Sequence, residues 1–170
     1  MDNLKISIET FTSTPNSENY DLLQNDWIDA YKKWQHIEMF NISKAEEIMY
    51  NLKMNTYPVS KERIDINIDN GQTDLSNPND WSAQGFPGLD YMLHGIANNK
   101  DEVLDLYSSD SKYGTYLSTL GSLMMEITNS VVEDWGSYVD TFNTSTENTA
   151  TSAFNLSLIH ISEPTRLRSI

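Results

Sequence analysis

The sequence predicts an all-α protein: an antiparallel helical bundle with a long irregular connection. Apolar residues recur at three- and four-residue steps over residues 20–41 and 112–142, which is the signature of helices burying one face. Strand-like alternation is confined to a single seven-residue run, and that run has no evident partner. Polar stretches punctuated by proline separate the periodic segments.

Taken in chain order, "MDNLKISIETF" places Leu4, Ile8 and Phe11 on one helical face, with no capping residue ahead of them. Pro15 interrupts, and Asn16 or Ser17 can cap the next helix. That helix carries Tyr20, Leu23, Trp27, Ala30, Trp34 and Ile37 as its stripe. Trp27 and Trp34, seven residues apart, read as core. His36 falls off the stripe and reads as a solvated or edge-packed histidine. "SKAE" offers Ser43 as an N-cap with Glu46 three residues later, the pattern of a capping box. This helix should end before "NTYP", because Tyr57 precedes Pro58 and is steered out of helical geometry.

"RIDINID" alternates Ile64, Ile66 and Ile68 as a weak strand signal within a long irregular connection at 55–80. "DNGQTDLSNPND" lacks the frame of a calcium loop and reads as a polar turn. Near the end, Tyr113, Tyr116, Leu117, Leu120, Met124, Ile127, Val131, Trp135, Tyr138 and Phe142 form a sustained stripe. Gly114, Gly121 and Gly136 interrupt it, each costing about 1 kcal/mol of helix propensity relative to Ala. Packing, or close approach of another helix, must compensate.

"SAQGFPGLDYMLHG" concentrates backbone-special residues. Pro87 suits the first position of a short helix and Gly95 its C-terminal cap. Phe86, Leu89 and Leu93 share the face that pins this helix to the bundle. Asp90 is placed near the positive helix N-terminus, and Asp90 and His94, at i and i+4, point the same way.

Composition narrows the function classes. The 170 residues carry a net charge of −14 and only 11 basic residues, so no nucleic-acid partner is expected. Cysteine is absent, which excludes disulfides, thiolate metal sites and a thiol nucleophile. No apolar run approaches a membrane span, and no signal peptide is expected within the chain. Glu-x-x-His, His-Glu-x-x-His, phosphate-loop and Gly-x-Ser-x-Gly motifs are all missing.

"LSLIHISEPTR" reads as a translated sequencing-library adapter. Residues 1–155 are therefore expected to be one partial domain and 156–170 a non-native tail, so His160 is set aside.

Three stretches in register, "WIDAYKKWQHIEMFNI", "NTYPVSKERIDINI" and "AQGFPGLDYMLHG", resemble the N-terminal half of the imelysin-like family, named for an insulin-cleaving membrane peptidase. The resemblance implies an all-helical protein of two bundle-like halves, exported to the periplasm or tethered to the outer membrane as a lipoprotein. It also implies a metallopeptidase-like class associated with iron uptake. The family's hallmark is Gly-x-His-x-x-Glu. Here Gly85 is present, but Pro87 stands at the His position and Asp90 at the Glu position. Pro87 can neither ligate a metal nor move a proton. Gly85, Pro87, Gly88, Gly95, Trp34 and Glu38 are thus motif or structural positions, and whether the chain is an enzyme stays open.

A divalent metal, zinc or iron, would be the cofactor, with Asp90 and His94 as its ligands. The alternatives are a peptidase completed by the C-terminal half and a non-catalytic peptide-binding module. That half is the expected partner, and the chain alone is expected to self-associate.

Overall fold

The computed structural model describes residues 1–147, Thr149, Ser152 and Ala153. All of its regular elements are helical: α1 (Asp2–Ser13), α2 (Ser17–Ile37), α3 (Lys44–Glu47), α4 (Tyr50–Met54), α5 (Lys61–Asp69), α6 (Gly85–Asp90), α7 (Lys100–Ser109) and α8 (Ser111–Thr144). A 3₁₀ turn at Pro78–Ala83 precedes α6, and a π turn at Tyr91–Gly95 continues it. The all-α class is as the periodicity predicts. The segment at 156–170, with its adapter-like sequence, lies outside the described residues.

The frame is α1 held between α2 and α8. Leu4, Ile8 and Phe11 are each at most 1% exposed, as their spacing requires. The direction of packing follows from neighbours. A Cβ on Gly121 would lie 2.7 Å from Ile8 Cδ1, and one on Gly114 would lie 3.5 Å from Thr12 Cβ. Moving up α1 therefore moves down α8, so the two are antiparallel. Gly121 is the position where the missing side chain permits close approach, which offsets its propensity cost. A Cβ on Gly136 would meet nothing.

Asn16 caps α2, its side chain accepting from Asn19 N at 2.9 Å. The helix closes at Ile37 rather than near residue 41, and Ile37 is 49% exposed. His36 is exposed as expected.

Several expectations are corrected by tertiary contacts. The Ser43–Glu46 capping box does not form. Ser43 adopts φ 50° and its Oγ donates to Asp134 Oδ2 at 2.7 Å, while the same carboxylate oxygen accepts from Lys44 N at 3.2 Å. A carboxylate from α8 thus caps α3, where a local glutamate was expected to help. "RIDINID" is helical: it forms α5, capped by Ser60. Ile64 and Ile68, four residues apart, are buried, while Ile66 is 41% exposed, so the apparent alternation was half of a helical pair. The connection at 55–80 accordingly contains an ordered helix and a 3₁₀ turn rather than being irregular throughout.

A buried polar node ties α5 to the 3₁₀ turn and to α8. Asp80 is 1% exposed, and its Oδ1 accepts from Arg63 Nε at 2.7 Å and from Asn67 Nδ2 at 3.0 Å. Tyr116 donates its hydroxyl to Ala83 O at 2.7 Å, and burial pushes that hydroxyl's pKa up to about 12. A carboxylate this deep is tolerated only because it is paired and hydrogen-bonded.

Replacing Asp80 with Ala strands Arg63 and Asn67, and should cost about 3 kcal/mol in urea denaturation, the low end for a broken buried pair because Arg63 is half exposed. Two glycines should respond with opposite sign. Gly85→Ala must displace the Met54 carbonyl, whose space a Cβ would invade, and should lose at least about 2 kcal/mol. Gly136→Ala meets no atom and should gain up to about 1 kcal/mol from helix propensity. Urea midpoints of the two variants check both.

Candidate functional site

The segment rich in glycine and proline is a joint pressed against α4. Gly85 has φ +70°, and its Cα faces the carbonyls of Lys53 and Met54 so closely that no side chain fits. Only glycine adopts that backbone without strain. Once past it the chain is helical: Pro87 is the third residue of α6, not the first. Its missing N–H still costs nothing, because the first-turn donors of a helix have no intrahelical acceptor. Phe86, Leu89 and Leu93 are at most 1% exposed. Fully burying each is worth about 1.5–3 kcal/mol, which is what holds a helix too short to stand alone.

Two expectations here are revised. Gly95 is not a left-handed cap: it ends the π turn, and Ile96 after it remains in right-handed helical geometry. Asp90 is the last residue of α6, well past the first turn, so the helix N-terminus does not account for it. Its partner does. His94 Nδ1 lies 2.9 Å from Asp90 Oδ1, as the i, i+4 spacing predicted. A third residue completes the array, since Gln24 Nε2 on α2 is 2.8 Å from His94 Nε2. A carboxylate at Nδ1 requires an Nδ1–H donor, so the consistent neutral tautomer accepts at Nε2 from the Gln24 amide.

Hydrogen bonding to Asp90 raises the His94 pKa above its ordinary 6.5, against the lowering effect of partial burial. The side chains of His94 and Asp90 are 39% and 42% exposed, so the pair lies at the rim of the fold.

Beside this pair α2 lays down an aromatic row. Trp27 and Tyr31 stack at 5.8 Å, Tyr31 and Trp34 at 6.1 Å. Phe86 packs 4.9 Å from Tyr31 and 5.6 Å from Trp34. Trp34 is core, at 4% exposure. Trp27 is only half-buried; it meets His94 edge-on at 5.7 Å and donates its Nε1–H to Phe86 O at 3.3 Å. Glu38 is exposed and contributes through its backbone, whose carbonyl accepts from Asn51 Nδ2 at 2.8 Å; it is not part of the Asp90 array. Gly88, within α6, faces the end of the 3₁₀ segment, where a Cβ would come within 3.1 Å of Ala83 O.

The structure thus brings Asp90, His94, Pro87 and Trp34 to one region and adds Gln24, Trp27 and Tyr31 to it. Gln24 stands 70 positions from His94, and nothing local in the sequence marks it.

The arrangement fits a metal poorly. Asp90 and His94 bond to each other rather than converging on a common point, and the remaining imidazole nitrogen faces an amide. Among the described residues, no group of three or more His, Asp or Glu side chains is placed to hold an ion. A water-activating zinc site needs three protein ligands.

A family model described as Imelysin, a peptidase family, matches residues 1–166. The chain therefore belongs to the imelysin family. No curated protein and no solved structure matches it. Among the described residues no helix is long and apolar enough to cross a membrane.

The raised His94 pKa has a definite consequence. Because the folded value exceeds 6.5, the pair's contribution to stability is complete below that pH and is lost as pH rises through the folded pKa. Asp90→Asn should lower the His94 pKa and flatten that part of the stability profile. Imidazole C–H chemical shifts followed across pH in both proteins read it directly.

Proposed function

We propose that this chain is a ligand-binding member of the imelysin family, working at the cell envelope in the iron-uptake setting that the family resemblance implies, and that it does not hydrolyse peptides through the hallmark motif. The observation that carries this reading is the fate of the motif's two functional positions. Pro87 occupies the His position, is fully buried within α6, and offers no donor, acceptor or lone pair from its side chain. Asp90 occupies the Glu position, and its Oδ1 is engaged by His94.

What remains of the motif is architectural. Gly85 turns the chain, Pro87 and Phe86 seat it, and Asp90 is delivered to the rim beside Trp27. Such a rim, half polar and half aromatic, suits recognition more than bond cleavage. The C-terminal half implied by the resemblance is the partner proposed to dock near this rim. A metal held by Asp90 and His94 alone would have two protein ligands, and binding should be correspondingly weak.

Two measurements on the full chain test this. Incubation with a mixed peptide pool and added zinc or ferrous ion should give no metal-dependent cleavage. Calorimetric titration with zinc should show affinity weaker than about 10 μM, and an Asp90→Ala, His94→Ala double variant should bind no better. Metal-dependent cleavage abolished by Asp90→Ala would overturn the reading. So would tight zinc binding that the double variant loses.

A further inference from the structure

Next to Asp90 the aromatic row forms the wall of a small cleft of about 40 Å³, lined by Trp27, Tyr31, Tyr57, Phe86, Asn55 and Asp90. Its chemistry is one-sided. Aromatic faces carry negative quadrupole density and attract cations, and the charged group at the rim is a carboxylate. Asp90 Oδ1 is taken by His94, but Oδ2 has no partner among the described residues.

Asn55 lines the same cleft. Elsewhere the chain satisfies aromatic faces with its own cations: Lys61 sits over Tyr91, Lys100 over Tyr20 and Lys112 over Tyr113. Among the described residues no lysine or arginine covers Trp27, Tyr31, Tyr57 or Phe86. Tyr57 is 69% exposed, a large aromatic at the rim that the core does not use.

Size narrows the ligand. A cleft of about 40 Å³ exceeds the roughly 10–15 Å³ that one water requires and falls far short of the roughly 300 Å³ of a drug-sized pocket. It accommodates a head group and leaves the rest of the ligand outside, against Tyr57.

We propose that this cleft binds the head group of a primary alkylammonium ligand, with the free Oδ2 of Asp90 accepting its N–H bonds and Trp27, Tyr57 and Phe86 lying around its charge. The proposal rests on the reading of Asp90 as a recognition residue. The same ammonium chemistry can come from a lysine side chain in a peptide or from a free amine. The net charge of −14 favours the approach of either.

The test is titration of the full chain with Nα-acetyl-lysine N-methylamide and, separately, with n-butylammonium, following the Trp27 indole N–H by two-dimensional NMR. Saturable shifts at Trp27 with a Kd of order 1 mM are expected for both. Equal affinities assign recognition to the head group alone; affinity at least tenfold tighter for the lysine derivative assigns the ligand to a peptide. Butyrate should produce no saturable shift. Tetramethylammonium, which has no N–H to donate, should bind at least tenfold more weakly than n-butylammonium.

Asp90→Asn should weaken butylammonium at least tenfold, and Tyr57→Ala, at an exposed position outside the core, severalfold. Absence of a saturable shift with both amines would overturn the proposal, as would binding that neither substitution alters. Failure here and failure of the non-hydrolytic reading are distinguishable. Metal-dependent peptide cleavage would sink the latter, whereas the amine titration is read without metal or substrate turnover.

Discussion

The contact between Gly85 and the carbonyls of Lys53 and Met54 is the constraint on which the candidate site depends. At φ +70° the chain turns into α6 against the end of α4, and a side chain at this point would occupy the space of backbone atoms. Backbone cannot swing aside as a flexible side chain can. The joint is therefore stiff, and its stiffness sets the positions of the next residues along the chain. Phe86 is committed to the aromatic row of α2, Leu89 to the core, and Asp90 to the rim. A looser joint would leave a two-turn segment without the tertiary support that short helices need.

The rest of the fold braces that joint from behind. Gly121 lets α1 and α8 approach closely, and Tyr116 reaches from α8 to hydrogen-bond the carbonyl of Ala83, two residues before Gly85. Asp80, Arg63 and Asn67 lock the 3₁₀ turn to α5. These polar contacts are few but fully desolvated on the Asp80 side, where misplacement is costly. Apolar burial would accept many arrangements of the same side chains; a buried carboxylate accepts very few.

The geometry at Asp90 and His94 bears on how this site could meet an ion. In many metal centres a carboxylate holds the imidazole of a ligand by its far nitrogen, leaving the near one for the ion. Asp90 and His94 reproduce that outer pair, yet His94 Nε2 meets the Gln24 amide where a metal would stand. With Pro87 at the position the family resemblance gives to histidine, the chain presents an acidic, aromatic rim around Asp90.

How much of this was legible in the sequence depended on whether the deciding contacts were local. The stripes of α1, α2 and α8 could be read because helical burial repeats every three to four residues, and the Asp90–His94 pair could be read because i and i+4 share a face. Family resemblance, carried by three stretches in register, located Pro87 and Asp90. Misreadings arose where distant residues intervened. Ser43 looked like a cap, but Asp134, some ninety residues away, holds that helix start. Ile64, Ile66 and Ile68 looked like a strand until Asn67 found Asp80 and Tyr116. Gly95 looked like a stop, but the turn before it widened to π geometry and carried on. The sequence by itself determined the all-α class and the long helices α1, α2 and α8 with most of the faces they bury, since that follows from periodicity along one chain. Only the tertiary structure decided the partner of His94, the pairing of Asp80, and the gathering of Trp27, Tyr31, Tyr57 and Phe86 around Asp90, because those juxtapositions are set by how rigid helices pack.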